Sequence, residues 1–469
     1  MPRKSSLYQS GKSVQKLFHR LPHPVIDQLG REVSQKARQS GLTYTDEHGK
    51  TALITLTLRP RLIPLERRNA LWRTLRILDG AFQKIASLYF KIPLLEDLFP
   101  FSSREREWLE ILREPGYRPG RIASRWDANT TFSDRDWKEG SSFFEVNGVG
   151  VGGIWYGPAS AEVALKTVVP KLHEIDPGFR VFPNHDMRLL LLYLLLAQRK
   201  KIGRTRGVMA LAMEKASGSN FIEFVCLAKL FTQMGYPSIV AEPTDFRLKG
   251  EELFARGKKI DILYRDTTLS ELCLLEEKGH DLRALQTAFK RGQVISSLEG
   301  EFDHKSVFEV FTDPEYASFF TPRERRLFKR HILWTRLLRE IKTTDPQERP
   351  VDLIPYVLRH QSELVLKPNR LYGGKGVLLG REASRSVWHK KIDAGLKEEG
   401  GWVIQRLGKL RAKRFFRHDG QRAREKDLYV VSGFLATEKG LGIVGRMSER
   451  TVVNVARRGG LTPILLVKN

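Results

Sequence analysis

The segment from residue 364 to residue 379 constrains the fold of this chain more than any other. An apolar run ends at Lys367 and Pro368, a Gly-Gly-Lys-Gly turn follows at 373–376, and a second apolar run leads away. This pattern predicts a β-hairpin. Glycine lets backbone N–H groups approach phosphate oxygens closely, and Lys367 and Lys375 can add charge on both sides. The segment is not a P-loop, since Gly376 follows the lysine and a strand follows the turn. A plain hairpin with a glycine turn is the alternative.

Two further segments combine carboxylates, an amide and a guanidinium. Alternate residues of a strand share one face. Arg125 and Asp127 would therefore lie on one face of their strand, and Glu145 and Asn147 on one face of theirs. If the two strands pair, with 128–142 as their connection, these faces coincide. Oxygen ligands of this kind suit Mg²⁺, and an adjacent arginine suits developing phosphoryl charge. The alternative is a solvated hairpin that carries surface carboxylates.

Two other patterns are weaker. Residues 148–153 (Gly-Val-Gly-Val-Gly-Gly) formally contain Gly-x-Gly-x-x-Gly, but no helix opens directly after the glycines, which argues against a dinucleotide site. The segment 406–426 is rich in lysine and arginine around Phe415 and Phe416. Basic residues around aromatic rings can bind nucleic acid, but no nucleic-acid-binding motif accompanies them, so a charged loop between strands is the preferred interpretation.

Composition limits the class of protein. The chain has 469 residues, 41% hydrophobic, and a formal net charge of +26, which favours anionic partners without identifying them. Two cysteines exclude a disulfide framework and a cysteine-built zinc site. The longest apolar run, 189–197, is less than half of the about 20 residues that a membrane helix needs. With no secretory signal at its start, we expect a cytoplasmic protein.

Periodicity gives the coarse organisation. Leu71, Leu75, Leu78, Phe82 and Ile85 fall on one stripe of an amphipathic helix that faces the core. Residues 207–265 alternate short strands and a helix, which predicts a small open α/β unit. A capping box with proline at the first helical position begins a helix at Thr321.

Taken together, these segments resemble the circularly permuted ATP-grasp family, in the branch that includes glutathionylspermidine synthase. Four stretches carry the resemblance: Arg125-Trp126-Asp127 with Glu145-Val146-Asn147; 257–265; Leu366-Lys367-Pro368 with Tyr372-Gly373-Gly374-Lys375-Gly376; and Gly445-Arg446-Met447-Ser448 with Val453-Asn454-Val455. The similarity runs from about residue 120 to the end. The acid-and-amide strand pair precedes the glycine-rich turn, the reverse of an unpermuted ATP-grasp protein.

The resemblance implies a role for individual residues. Lys367 is expected to contact nucleotide phosphates, and Gln405 to lie at a hinge near the adenine. The mobile flap over the phosphates is expected at Gly373, Gly374, Lys375 and Gly376. Asp127, Glu145 and Asn147 match the magnesium ligands, and Arg125 matches the arginine that stabilises the transferring phosphoryl group. The gap from Asp127 to Glu145 is longer than is typical of the family, so Asp134 or Asp136 is an alternative first ligand.

The resemblance also implies the architecture. We expect an α+β protein with a two-part ATP-grasp fold and an inserted Rossmann-like subdomain. Residues 1–120 would form a helical N-terminal extension, and 121–205 the first part of the ATP-grasp domain, with the metal-site strands. Residues 206–300 would form the Rossmann-like subdomain, and 301–469 the second part, with the flap.

The expected function is an ATP- and Mg²⁺-dependent carboxylate–amine ligase that forms an amide through an acyl phosphate. Its partners would be a small-molecule or peptide carboxylate, weakly suggested to be acidic by the net charge, and an amine. Nucleic acid and membrane partners are not expected. The alternatives are an ATP-grasp-like binding module for a polyanion and an ATP-dependent kinase on the same fold. The two substrates and the oligomeric state are left open.

Overall fold

The computed structural model describes residues 11–45, 51–132, 137–138, 140–215, 221–398, 400–409, 411–452 and 459–468. These residues have a mixed α/β fold. The helices are α1 Gly11–Phe18, α2 His23–Gln39, α3 Leu65–Gln83, α4 Ile85–Tyr89, α5 Ser103–Leu109, α6 Tyr156–Lys166, α7 Val168–Ile175, α8 Met187–Lys201, α9 Phe221–Gln233, α10 Leu269–Glu277, α11 Arg283–Lys290, α12 Val307–Thr312, α13 Pro322–His331, α14 Leu353–Arg359 and α15 Arg385–Gly395.

The strands of the first half of the chain are β1 Thr43–Thr45, β2 Thr51–Leu53, β3 Thr55–Leu56, β4 Arg61–Pro64, β5 Arg125–Asn129, β6 Ser142–Asn147, β7 Phe182–Pro183, β8 Val208–Ala212, β9 Ser238–Ala241, β10 Phe246–Lys249, β11 Glu252–Ala255, β12 Lys258–Arg265 and β13 Val294–Ile295. Those of the second half are β14 Thr335–Leu337, β15 Lys342–Thr344, β16 Pro350–Asp352, β17 Leu364–Pro368, β18 Leu378–Leu379, β19 Trp402–Arg406, β20 Lys413–His418, β21 Ala423–Thr437, β22 Gly440–Ser448, β23 Gly460–Thr462 and β24 Ile464–Val467.

The largest sheet has the order β3-β23-β22-β21-β5-β6, with β20 paired to β21. The predicted pairing of β5 with β6 is confirmed, because the strands are antiparallel and Asp127 lies opposite Glu145. Strand β21 pairs with β5 through Gly433 and Asp127. The long hairpin β21–β22 therefore holds the middle of the sheet against the strand pair that carries the predicted site residues.

A second sheet contains the predicted β-α-β segment. Strands β12, β8 and β9 are neighbours and parallel, and α9 connects β8 to β9. A parallel pair needs such a crossover, which explains why the helix lies between these two strands in the chain. The carboxyl ends of β8 and β12 lie side by side, since Ala212 pairs with Arg265.

The predicted glycine-turn hairpin is present in a third sheet, of order β14-β19-β17-β18. Strand β17 pairs with β18 through Leu366 and Leu378. The turn between them contains glycines with positive φ, which only glycine adopts without strain: Gly373 at 68°, Gly374 at 69° and Gly376 at 73°. The hairpin therefore places the Gly-Gly-Lys-Gly turn beyond the end of a buried strand.

The first 120 residues, expected to be a helical extension, contribute strands as well as helices. Strand β3 pairs in parallel with β23, and β4 pairs in parallel with β24. The predicted helical stripe is confirmed, because Leu71, Leu75 and Leu78 are at most 1% exposed. The capping box at Thr321 is also present. In the described part of the chain, no helix is both long enough and apolar enough to cross a membrane.

Candidate functional site

A buried ion-pair cluster occupies the centre of the β5–β6 pair. The Arg125 guanidinium donates from Nε to Asp127 Oδ1 at 2.9 Å and from Nη2 to Asp127 Oδ2 at 3.0 Å. Arg446, on the neighbouring hairpin, reaches the same carboxylate, with Nη2 2.7 Å from Oδ2. Burial alone would raise the pKa of Asp127, but the two guanidinium groups outweigh it and hold this pKa below its usual value. Asp127 is therefore an ionised carboxylate that orients two arginines.

Glu145 and Asn147 lie on the open side of this cluster. Glu145 is partly exposed and lies 3.3 Å from Lys305 Nζ. Asn147 donates from Nδ2 to Asp127 Oδ2 at 3.3 Å, which leaves its Oδ1 as an acceptor. Lys305 and Arg446 were not predicted as site residues. A lone arginine in the otherwise buried strand β22 is a signal that sequence reasoning had available for Arg446, whereas nothing in the local sequence separates Lys305 from other lysines.

Lys367, at the end of β17, is buried beside these groups. Its Nζ donates to Gln405 Oε1 at 2.7 Å and lies 4.9 Å from the centre of the Phe144 ring. Burial, which Glu145 opposes and Lys305 reinforces, lowers its pKa to about 8. Gln405 is fully buried and also donates to Thr335 Oγ1 at 2.8 Å. Gln405 thus fixes the position of a lysine that pairs with no carboxylate among the described residues.

Two connected chambers open around these residues. The first has a volume of about 150 Å³, and its apolar walls include Phe144, Val365, Leu379 and Val431. The second has a volume of about 570 Å³ and lies towards the loops that follow β8 and β12. Residues that line both chambers are Arg125, Glu145, Asn147, Lys305 and Arg446, with Leu371 and Gly373 from the turn. The charged cluster is therefore the junction of the two chambers.

The structure divides the predicted site residues into two groups. Those that line a chamber are Arg125, Glu145, Asn147, Lys367, Gly373, Gly374 and Gln405. Asp127, Lys375 and Gly376 line neither chamber: Asp127 lies fully buried behind the wall, and Lys375 and Gly376 are on the exposed side of the turn. Asp134, Asp136 and the stretch 453–455 lie outside the described residues.

The glycine-rich stretch 148–153 forms part of the wall of the second chamber. Asp303 accepts from the Gly148 N–H at 2.7 Å, and Glu223 accepts from the Gly153 N–H at 3.0 Å. Two carboxylates, the buried Glu223 and the partly exposed Asp303, thus hold the ends of this loop. The stretch follows an antiparallel strand, an arrangement unlike a dinucleotide-binding turn.

Several basic side chains of the segment 406–426 form ion pairs with neighbouring acids. Arg414 lies 3.5 Å from Asp427, and Arg424 lies 3.5 Å from Asp419. Phe415 and Phe416 are at most 3% exposed, so neither ring is accessible for stacking on a base. The segment is the hairpin of β20 and β21, which favours the interpretation as a charged structural element.

The candidate metal ligands are oxygen donors of a mixed kind. Among the residues that the structure describes, no group of three or more histidine, cysteine, aspartate or glutamate side chains could hold a metal ion. The expected set of Asp127, Glu145 and Asn147 includes an amide. Mg²⁺ typically uses one or two carboxylates together with substrate phosphates, so the donor chemistry of Glu145 and Asn147 at the junction fits this cation.

Comparisons with known proteins give the fold. No protein-family model matches the chain, and no curated protein matches it in sequence. Among solved structures, a glutathione synthetase-like effector from Globodera pallida, in its apo form, is similar with a TM-score of 0.64 and 10% sequence identity. The match covers 96% of this chain and 98% of that chain. At this identity the similarity shows the fold alone: the chain has the mixed α/β fold of that protein over almost its whole length.

An ATP-grasp protein with a RimK domain from Sphaerobacter thermophilus is also matched, with a TM-score of 0.26 and 11% sequence identity. That match covers 53% of this chain and 92% of the other. The TM-score is too low for this similarity to support an argument.

Proposed function

We propose that the protein is an ATP- and Mg²⁺-dependent ligase that joins a carboxylate to an amine through an acyl phosphate. The observation that carries the proposal is the junction, where two chambers meet at a cluster of charged side chains. A ligase of this type must bring a nucleotide phosphate and a substrate carboxylate together at one point. Two chambers with a shared charged wall meet that requirement.

The first chamber suits the nucleotide. Its apolar walls suit a purine ring, and Lys367 lies at the end nearest the junction residues. Lys367 would bind phosphate oxygens, and Gln405 would hold its amino group in place through the 2.7 Å hydrogen bond. Gly373 and Gly374 would close over the phosphates, because backbone N–H groups in a glycine turn approach anions closely.

The basic side chains at the junction outnumber the carboxylates, so the junction suits an anion. Arg125, Lys305, Lys367 and Arg446 are basic, whereas Asp127 and Glu145 are the carboxylates among them. The excess of positive charge in a largely buried setting would stabilise a transferring phosphoryl group. Arg446 Nε is buried and has no hydrogen-bond partner within the described residues, so it is available to an incoming oxygen.

Glu145 and Asn147 would hold Mg²⁺ at the junction, with Asp127 behind them. When bound, Mg²⁺ supplies positive charge that offsets the charge of the phosphoryl oxygens. The side chains would orient the reactants: Arg125 and Arg446 position the phosphoryl group, and Lys305 reaches into the second chamber. A substrate carboxylate oxygen would bond to the γ-phosphorus and ADP would leave. The nitrogen of the neutral amine would then bond to the acyl carbon, phosphate would leave, and the nitrogen would lose one proton to the departing phosphate.

The finer architecture belongs to the same proposal. The circular permutation of the ATP-grasp-like fold is supported by the chain order, in which β5 and β6 precede the β17–β18 hairpin. The parallel strands β8, β9 and β12 support a Rossmann-like subdomain within 206–300. We propose the remaining domain boundaries together with this subdomain: an N-terminal extension at 1–120, and the two parts of the ATP-grasp domain at 121–205 and 301–469.

ATP binding tests the proposed site directly. The thermal unfolding midpoint is measured with and without ATP and Mg²⁺ on the wild type and on Glu145→Ala. We expect a magnesium-dependent stabilisation in the wild type, because a ligand that binds the folded state raises its stability. Glu145→Ala should lose most of the magnesium-dependent part, since one carboxylate ligand is removed.

Glu110→Ala is the control for this experiment, because Glu110 is an exposed glutamate that pairs with Arg113 and lines neither chamber. A folded wild type that ATP and Mg²⁺ do not stabilise would contradict the proposal. Equal magnesium-dependent shifts in the wild type and in Glu145→Ala would contradict the role of Glu145.

A further inference from the structure

The second chamber has an acidic end that the proposed phosphoryl chemistry does not use. Glu214 follows β8, Asp266 follows β12, and Glu271 lies in the first turn of α10. Because β8 and β12 are parallel neighbours, the loops at their carboxyl ends converge, which is the usual position of a ligand in an open α/β sheet. The basic residues Arg125, Lys305 and Arg446 belong instead to the junction.

Asp266 differs from the other carboxylates that line this chamber. Glu271 accepts from the Thr268 N–H at 2.8 Å, Asp303 accepts from the Gly148 N–H at 2.7 Å, and Glu301 pairs with Arg265. Within the described residues, Asp266 has no ion pair and no side-chain hydrogen bond, and its Oδ1 is buried. A buried acceptor without a donor requires an explanation, and a bound ligand would supply the donor.

A second, independent observation lies beside it. Thr267 is 4% exposed, and its Oγ1 has no hydrogen-bond partner within the described residues. Asn369, 1% exposed on the same chamber, has an unpartnered Nδ2. Asp266 and Thr267, consecutive residues of the chamber wall, thus each have a buried oxygen atom without a donor in the described part of the chain. A group that carries several N–H donors and a positive charge matches this pair.

The mouth of the same chamber is apolar. Leu274, Leu371 and Tyr372 are 50%, 48% and 57% exposed, and all three line the chamber. Exposed apolar side chains that surround an opening mark a site where an apolar group binds. The chamber therefore combines an acidic end with an apolar mouth.

We propose that the second chamber binds a primary amine that carries an alkyl or aryl group of several carbons. Its ammonium group donates to Asp266 and Thr267, and its apolar group packs against Leu274, Leu371 and Tyr372. An ammonium–carboxylate hydrogen bond is charge-assisted, so Asp266 contributes affinity that an uncharged ligand cannot gain. This inference rests on the proposed ligase function, because it gives the chemical class of the amine that such a ligase would join to the carboxylate.

Calorimetric titration of the full chain with 2-phenylethylamine, in the absence of ATP, tests the proposal. Burial raises the pKa of Asp266 to about 7, and the Glu271 carboxylate adds to the shift, so the titration is performed at pH 8, where the carboxylate is ionised. We expect the wild type to bind the amine. Asp266→Asn should weaken binding at least tenfold, about 1.4 kcal/mol. The matched alcohol 2-phenylethanol should bind the wild type at least tenfold more weakly than the amine does.

Asp281→Asn is the control, because Asp281 is an exposed carboxylate on another loop that pairs with Arg283, and its affinity for the amine should equal that of the wild type. If Asp266→Asn does not fold, Leu274→Ser provides the test, since Leu274 is half exposed and its loss should weaken binding about threefold. Ethylamine, which lacks the phenyl ring, should bind more weakly than 2-phenylethylamine.

Equal affinity of the wild type and a folded Asp266→Asn for the amine would overturn the proposal. So would equal affinity of the wild type for the alcohol and the amine, or no binding of the amine at all. Because these titrations contain no ATP, their result does not depend on whether the protein binds ATP. A wild type that binds the amine through Asp266 but does not bind ATP would contradict the ligase function and leave the amine site standing.

Discussion

At the scale of single residues, the position of Asp127 shows how burial changes the role of a carboxylate. Asp127 is fully buried, and its two oxygens accept from Arg125 and Arg446. A buried charge of this kind is stable only when it is paired and hydrogen-bonded. Asp127 therefore holds both guanidinium groups at the junction, and any contact with Mg²⁺ would require one of them to move. Its expected role as a magnesium ligand stays a prediction.

Lys367 provides the clearest test of a single residue. Lys367→Ala should weaken ATP binding at least tenfold, more than about 1.4 kcal/mol, because it removes a buried cation from the first chamber. The measurement is the dissociation constant for ATP. Lys390→Ala, which removes an exposed lysine of α15, is the matched control. An unchanged dissociation constant in a folded Lys367→Ala protein would rule out this lysine as the phosphate contact.

At the scale of elements, the site depends on how closely loops approach one another. The loop after β6 passes directly against the turn at Gly300: a Cβ at Gly148 would lie 2.2 Å from the carbonyl oxygen of Gly300. Asp303, three residues later, receives the Gly148 N–H. Glycine at 148 is therefore required by packing against backbone, and it positions the strand end that carries Glu145 and Asn147.

Two alanine substitutions distinguish the effect of this close packing on stability from the general effect of replacing glycine by alanine. Gly148→Ala should lower the free energy of unfolding by about 1–3 kcal/mol, because the added methyl group overlaps backbone that cannot move away. Gly80→Ala, in α3, meets nothing within 4 Å and should raise the free energy of unfolding by about 0.5–1 kcal/mol through helix propensity. Urea-induced unfolding measures both values. A Gly148→Ala protein as stable as the wild type would contradict the close approach.

At the scale of the whole molecule, the two ends of the chain are joined. Strands β3 and β4 pair with β23 and β24, so the N-terminal residues complete sheets built by the C-terminal ones. Helix α3 then packs behind the central sheet, where Asp79 accepts hydrogen bonds from Ser124 and from Trp126 Nε1. This contact joins an N-terminal helix to the strand that begins at Arg125.

The contact at Asp79 predicts a pH dependence of stability. Burial raises the pKa of Asp79 to about 6 from an ordinary value of 3.8, against the hydrogen bonds that lower it. A raised pKa means that the folded state binds the proton more tightly than the unfolded state. The stabilisation is therefore complete below pH 3.8 and is lost as the pH rises to about 6.

The measurement is urea-induced unfolding at pH values from 4 to 7 on the wild type and on Asp79→Asn. The unfolding free energy of the wild type, relative to that of Asp79→Asn, should fall from pH 4 through pH 6 and level off near pH 7. A difference that does not change with pH would show that Asp79 titrates normally.

Much of the local structure was predictable because it depends on short-range chemistry. Four features follow from residues close together in the chain: the alternation in β5 and β6, the apolar stripe of α3, the capping box at Thr321 and the Gly-Gly-Lys-Gly turn. The same patterns gave the resemblance and, through it, seven residues that line the first chamber. The helical extension expected for residues 1–120 did not include strands β3 and β4. Such short strands form only by pairing with distant partners, which local patterns do not reveal.

The sequence by itself determined the stripe of α3, the capping box at Thr321, the two strands with their acids and amide, and the glycine turn, since these depend on neighbours in the chain. Only the tertiary structure decided which charges meet. It buried Asp127 between Arg125 and Arg446, added Lys305 to the junction, and left Asp266 without a partner among the described residues. The physical reason is that burial and pairing depend on residues hundreds of positions apart, and local patterns carry no information about those distances.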